Sequence, residues 1–228
     1  MTDLQIDRRQ LLAVAAIGAA ASVSATARAA PAPFAIQPLP FDPKAIPGLS
    51  EKLLVSHHDN NYAGAVRRLG TITQQFAALD PATAPVFTLN GLKREELIAW
   101  NSMILHELYF ASLSGAAAAP GAALAQAIER DFGSEGRWRA EFSAMGKALG
   151  GGSGWVLLAY SPRDRRLVNQ WAADHTMTLA GSTPILALDL YEHAYAMDYG
   201  AAAAGYVDAY MKAINWRSAD TLFVKAAA

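Results

Sequence analysis

The chain has 228 residues, 53% of them hydrophobic and 17% charged, enough apolar material for one sizeable core or two small lobes. Its formal net charge of −1 gives no basic bias toward nucleic acid and no acidic tail. Cysteine is absent, which excludes disulfides, thiolate metal sites and cysteine nucleophiles, so a metal here must be held by His, Asp, Glu or solvent.

Along the chain, Arg8-Arg9 precede the weakly apolar run LLAVAAIGAAASVSA, which closes on the small-residue stretch ATARAA. That order of charged, apolar and small residues predicts a cleaved export signal over residues 1–30. DRRQLLA resembles a twin-arginine signal, so the expected location is the periplasm or another exported compartment, with no stable membrane insertion after cleavage. Six prolines between 31 and 50 predict an extended lead-in. A helix is expected from Ser50, a candidate cap, to about Leu69, and a second from about Leu92 to Leu113. The stretch between them reads as partly helical at best.

SGAAAAPGAA, residues 114–123, marks the expected boundary between a helical domain over 31–115 and a second domain over 116–228. ALAQAIERDFG and SEGRWRAEFSAMGKAL carry apolar residues at helical spacing, the second behind a Ser cap. WVLLAY, RLVNQWAA and PILALDL are short apolar runs between turn signals, and predict a small antiparallel sheet. YVDAYMKAINW and SADTLFVKAA return to helix. The fold class is therefore α+β, a helical N-terminal lobe packed on a C-terminal lobe with a three-stranded antiparallel sheet.

There are five histidines, His57, His58, His106, His175 and His193. One falls in each predicted N-terminal helix, if His57 is taken for the first, while Asp189 and His193 follow the last predicted strand. Acids and imidazoles are costly to bury unless something compensates them, and a metal ion is one such compensator. Three imidazoles and a carboxylate would leave a coordination position open, which suits catalysis better than scaffolding. On spacing alone the set fits zinc hydrolysis as well as redox chemistry. A serine-nucleophile hydrolase is disfavoured, since no G-x-S-x-G elbow occurs.

DLYEHAY, residues 189–195, resembles the D-x-W-E-H-A-Y signature of the iron/manganese superoxide dismutases. The family's other segments follow in order: SHHDNNYAGAVRRL, HELYFASL, the FGS…GSGW stretch and YVDAYMKAINW. Carried over by position, the resemblance implies metal ligands His57, His106, Asp189 and His193, holding one Fe or Mn ion per chain. It implies dismutation of the superoxide anion to dioxygen and hydrogen peroxide. It also implies a homodimer in which Glu192 reaches the metal-binding histidine of the partner, an orienting role. His175 falls where many members carry a glutamine that bonds solvent at the metal. His175, Asn61 and Tyr195 form the expected catalytic set, with Glu192, Trp155, Phe110 and Tyr191 supporting the ligands.

The chain also departs from the family pattern. Asn61 stands at the outer-sphere histidine and Ala65 at the gateway tyrosine; on a regular helix they would share a face with His57 at i, i+4 and i+8. Tyr62 would point away from Asn61. Phe110 and Tyr191 replace tryptophans, Leu157 another, Ala196 an aromatic, and Ala202-Ala203 an Arg-Arg pair. Losing positive charge at the mouth weakens steering of an anion. The reading is an exported dismutase with a wider, less charged entrance. The alternatives are a peroxidase- or oxidase-like enzyme on the same cage, or a metal-binding protein with little dismutase activity.

Overall fold

The computed structural model describes residues 34–228 apart from residue 117, and the predicted export signal lies outside the described residues. The fold is α+β, as the pattern predicts. Helix α1 (Glu51–Ser56) starts on Ser50, whose side chain accepts from the Leu53 amide. The helix then widens into a π-turn over His57–Tyr62, in which the Ala63 amide reaches back to the His58 carbonyl, before α2 (Ala63–Ala77) resumes the α-helical pitch. Such insertions within helices are rare and favour functional positions. The first helix therefore runs past the expected end at Leu69, and the regular spacing assumed for residues 57, 61 and 65 is broken between the first two.

Helix α3 (Val86–Ala111) starts six residues before the expected position. Its first turn leaves Val86 and Phe87 81% and 76% exposed, so those apolar residues lie on no buried face and carry no helical period. Helices α2 and α3 pack on each other as a hairpin. The end of α3 is tied to the C-terminal part of the chain by the Leu113–Ile214 bridge and by Asn215, whose side chain donates to the Ala111 carbonyl and caps the last helix.

Helices α4 (Ala122–Phe132) and α5 (Glu135–Ala148) follow, the second capped by Ser134. Strands β1 (Trp155–Ser161), β2 (Arg166–Ala172) and β3 (Thr183–Asp189) form an antiparallel sheet in the order β2-β1-β3. The central strand is buried along its whole length, and Pro184 lies on an edge strand, where its missing N–H is tolerated. Gly154 enters β1 at φ +139°, with a Cβ position that would lie 2.2 Å from the Ala172 carbonyl oxygen, so only glycine fits this approach. Trp155 and Asp189 are paired in register, and the Leu190 amide bonds the Gly154 carbonyl just beyond them. A 3₁₀ turn (Glu192–Ala194), α6 (Ala196–Tyr199), α7 (Ala203–Lys212) and α8 (Trp216–Ala227) complete the chain. Among the described residues, no helix is long and apolar enough to cross a membrane.

Candidate metal centre

Three pieces of backbone deliver four side chains to one point. The π-turn supplies His57, α3 supplies His106, and the end of β3 with its following turn supplies Asp189 and His193. Their donor atoms all lie within 4.8 Å of one another. Asp189 Oδ2 is the hub, 3.1 Å from His57 Nε2, 3.2 Å from His193 Nε2 and 3.5 Å from His106 Nε2. His57, His106 and Asp189 are buried, and His193 is partly exposed.

The tautomers argue for a cation at this point. His106 Nδ1 donates to the Ser102 carbonyl at 2.6 Å, so its Nε2 presents a lone pair. That lone pair faces a carboxylate oxygen at 3.5 Å and His193 Nε2 at 3.4 Å. Protonation is no remedy, because burial and the neighbouring His57 push the His106 imidazole down to about 3. Burial likewise lowers His57. Asp189 is raised by its own burial, but hydrogen bonds and charge from His193 and His57 outweigh this and hold it well below the usual carboxylate range. The His106 lone pair thus faces a buried carboxylate oxygen and a third imidazole with no proton of its own to bridge them. A divalent or trivalent metal ion fits that donor set.

The surrounding groups fix the donors in orientation. The Tyr191 amide donates to Asp189 Oδ1 at 2.8 Å, leaving Oδ2 for the centre. Tyr109, completely buried, packs its ring 4.9 Å from that of His57, and Phe110 lies 5.1 Å from it on another side. Trp155 stands edge-on to His106 at 5.3 Å and donates its indole N–H to His175 Nδ1 at 3.0 Å. His175 therefore carries its proton on Nε2. Tyr191 is sandwiched between His175 and His193, with ring centroids 4.7 and 5.4 Å away. Only His57 Nδ1 among the four residues' buried polar atoms has no hydrogen-bond partner.

The sequence is also similar to those of known proteins. The family pattern described as iron/manganese superoxide dismutases, C-terminal domain, matches residues 120–222. The chain is 67% identical to the "Superoxide dismutase [Fe]" of Cupriavidus metallidurans, over 85% of this chain and 98% of that one. It is 36% identical to "Superoxide dismutase [Mn] 1" of Halobacterium salinarum over 85% and 96% of the two chains, and 33% identical to the "Superoxide dismutase [Fe]" of Aquifex pyrophilus over 81% and 88%.

The chain belongs to the iron/manganese superoxide dismutase family.

Within this superoxide dismutase fold two of the departures from the family pattern, Asn61 and Ala65, lie together with His175. Asn61, Ala65 and His175 line a cavity of about 320 Å³ together with Arg68, Ile98 and Ser102. Tyr62 turns away, accepting from the Gln37 amide and donating to Glu107. Tyr195 is buried but stacks on Tyr206, 5.6 Å away, and pairs with none of the four donors, so the structure does not bring it to the centre. Glu192 is exposed in the single chain. Sequence reasoning missed Ser102 and Tyr109. Ser102 was accessible in principle, since it sits one helical turn before His106 and a ligating histidine needs a partner for its second nitrogen. Tyr109 gave no signal apart from general apolar burial.

Proposed function

We infer that the protein is a superoxide dismutase, disproportionating superoxide to dioxygen and hydrogen peroxide with one Fe or Mn ion held by His57, His106, Asp189 and His193. The observation that carries this reading is the His106 lone pair, fixed by Ser102 and aimed at a buried carboxylate. When bound, the metal supplies one electron in each direction by alternating between its trivalent and divalent states. The chain's part is to hold donors, protons and access. Asp189 contributes negative charge, which favours the more oxidised ion. His175, locked by Trp155 with its proton on Nε2, can donate a hydrogen bond at the entrance and draw a replacement proton from the cavity it lines. Burial lowers the His175 imidazole, so it stays neutral at neutral pH and acts through that one proton.

The working molecule, in this reading, is an exported homodimer. Arg8-Arg9 and the small-residue stretch behind them support twin-arginine export and cleavage, and a periplasmic destination. The exposed carboxylate of Glu192, next in sequence to His193, supports a contact with the partner's copy of that histidine.

The test is to purify the protein without its first thirty residues, load it separately with iron, manganese and zinc, and measure superoxide consumption. Iron or manganese, at one ion per chain, should give turnover and zinc none. A protein that retains neither redox metal, or retains one and leaves superoxide unchanged, is not a dismutase. Sedimentation of wild type and Glu192→Ala checks the dimer, which should weaken in the variant.

A further inference from the structure

Five of the eight tyrosines form a connected group that starts at the metal centre and ends at the surface. Tyr109 lies against His57, with ring centroids 4.9 Å apart. Its hydroxyl accepts from that of Tyr206 at 3.3 Å, inside the core. The Tyr206 ring is 6.2 Å from that of Tyr199, with Tyr195 as a side branch at 5.6 Å. Tyr199 is half-buried, donates to the Gly48 carbonyl, and lines a shallow surface cleft with Leu49, Ser50, Met197 and Asp198. A second aromatic run leaves Tyr109 through Tyr210, but it meets Phe142, a ring much harder to oxidise than a phenol, before it reaches Trp138. Trp155 and the half-buried Tyr191 also pack on the ligands His106 and His193, but the route through Tyr206 is the one that runs through tyrosines to the Tyr199 cleft.

We propose that Tyr109, Tyr206 and Tyr199 are a one-electron relay from the cleft to the metal centre, through which a small phenolic reductant is oxidised at the expense of hydrogen peroxide. The inference rests on the dismutase reading, which supplies both the metal and the peroxide. Two phenol molecules at the cleft each lose one electron and one proton, the proton passing to water. The electrons travel inward through Tyr199, Tyr206, Tyr109 and His57, while the Tyr206 hydroxyl proton stays in its hydrogen bond to the Tyr109 oxygen. Peroxide entering past Asn61 and Ala65 takes up both electrons and two protons from water; its O–O bond breaks, and two waters form. In the absence of a phenol the same path draws electrons from Tyr199, which takes the oxidative damage that would otherwise fall on the ligands.

The experiment uses the iron-loaded protein, with metal content and superoxide consumption measured first, and then hydrogen peroxide added with and without 2-methoxyphenol. Wild type should oxidise the phenol, and without phenol should give a tyrosyl radical signal and carry oxidised Tyr199 in peptide maps. Tyr199→Phe and Tyr206→Phe should each keep iron and dismutation but slow phenol oxidation by about tenfold or more, a change of at least about 1.4 kcal/mol in barrier. In both variants peptide maps should show the damage moved onto Tyr109 and His57. Phenol oxidation unchanged in both variants, no phenol oxidation by an active wild type, or wild-type lesions confined to the ligands would each overturn the relay and leave the dismutase reading standing. Loss of iron from the wild type would overturn both. Tyr199 is half-buried and at the surface, so Tyr199→Phe alone decides the matter if Tyr206→Phe does not fold.

Discussion

The floor of the metal centre and its entrance are made largely from the same helices, yet they differ in kind. On the floor, His106 is fixed by the Ser102 carbonyl, Asp189 by the Tyr191 amide, and His57 by the rings of Tyr109 and Phe110. At the entrance stand Asn61, Ala65, Ile98 and Arg68 with His175 around a cavity of about 320 Å³, where Arg68 is paired with Glu95 and His175 is braced by Trp155. Holding a metal requires several donors in one geometry at once, so each replacement on the floor is costly. Admitting a small anion and supplying protons can be done by several sets of side chains. Affinity for metal and rate of turnover are thus assigned to different residues, and experiments can separate them.

The largest effect expected is on the floor. Asp189→Ala removes the hub carboxylate and leaves three imidazoles with no acid between them. Even the loss of a group that only orients a ligand costs about 10–100-fold in metal affinity, so this loss should exceed about a hundredfold. Elemental analysis of the purified variant should find less than stoichiometric iron and manganese. Stoichiometric metal in Asp189→Ala would show that the hub lies elsewhere.

Removing the metal from wild type should come next. At a free concentration a thousand times Kd, a bound ion adds about 4 kcal/mol, or roughly 8–16 °C in Tm for a chain of this length. The metal-free protein should also be acid-labile. Burial lowers His57, His106 and His175 below their unfolded value of 6.5, so below that pH the unfolded chain binds more protons than the folded one. Stability should therefore fall as pH drops through 6.5, by up to about 1.4 kcal/mol per pH unit for each histidine. A flat urea midpoint between pH 7 and pH 5.5 in the metal-free protein would contradict this burial argument.

The entrance should respond differently. Ala65→Tyr restores a phenol at the cavity wall and should leave metal content unchanged. Turnover should change by about tenfold or less, below the roughly 10²–10⁴-fold of a fully positioned acid–base group, with the difference greatest at high pH, where proton supply limits. Pulse-radiolysis rates across pH would show it. An Ala65→Tyr protein that loses its metal would erase the separation between floor and entrance.

The same separation explains what could be read in the sequence. Asp189 and His193 are four residues apart at the end of an apolar run, and the three strands are short, apolar and punctuated by turns, so the C-terminal half was legible. The N-terminal hairpin was less so. The π-turn at His57–Tyr62 leaves no mark in composition, because it changes hydrogen-bond partners and not residue types. The start of α3 was hidden because Val86 and Phe87 are apolar but exposed, which removes the periodic signal. The tie from Ser102 to His106 uses a backbone carbonyl, so only its place one helical turn before the ligand, and not its residue type, could point to it. Tyr195 was misplaced for the opposite reason: a motif position suggested a role, while packing against Tyr206 gave the ring to the core.

The smallest effect should come from a residue that belongs to neither region. Asp131, on α4, accepts from Arg130 at 2.6 and 2.7 Å and from the Leu167 amide of β2 at 2.7 Å. Burial raises its carboxyl, but Arg130 and the Leu167 amide outweigh that and hold it below its ordinary value. A carboxyl lowered in the fold stabilises above its unfolded value, and that contribution is lost as pH falls through the folded one. Arg130 is half exposed, so its share is screened by solvent, and the bond to the Leu167 amide is the larger part. Asp131→Asn should cost about 1–2 kcal/mol at neutral pH, or about 2–8 °C in Tm, with the difference from wild type shrinking toward pH 3. Metal content and superoxide consumption should be unchanged, because Leu167 pairs with Tyr160, at the end of β1 opposite the Trp155–Asp189 pair that leads to the donors. If Asp131→Asn lost metal as readily as stability, the centre would depend on the whole fold and not on the three backbone pieces that deliver its ligands.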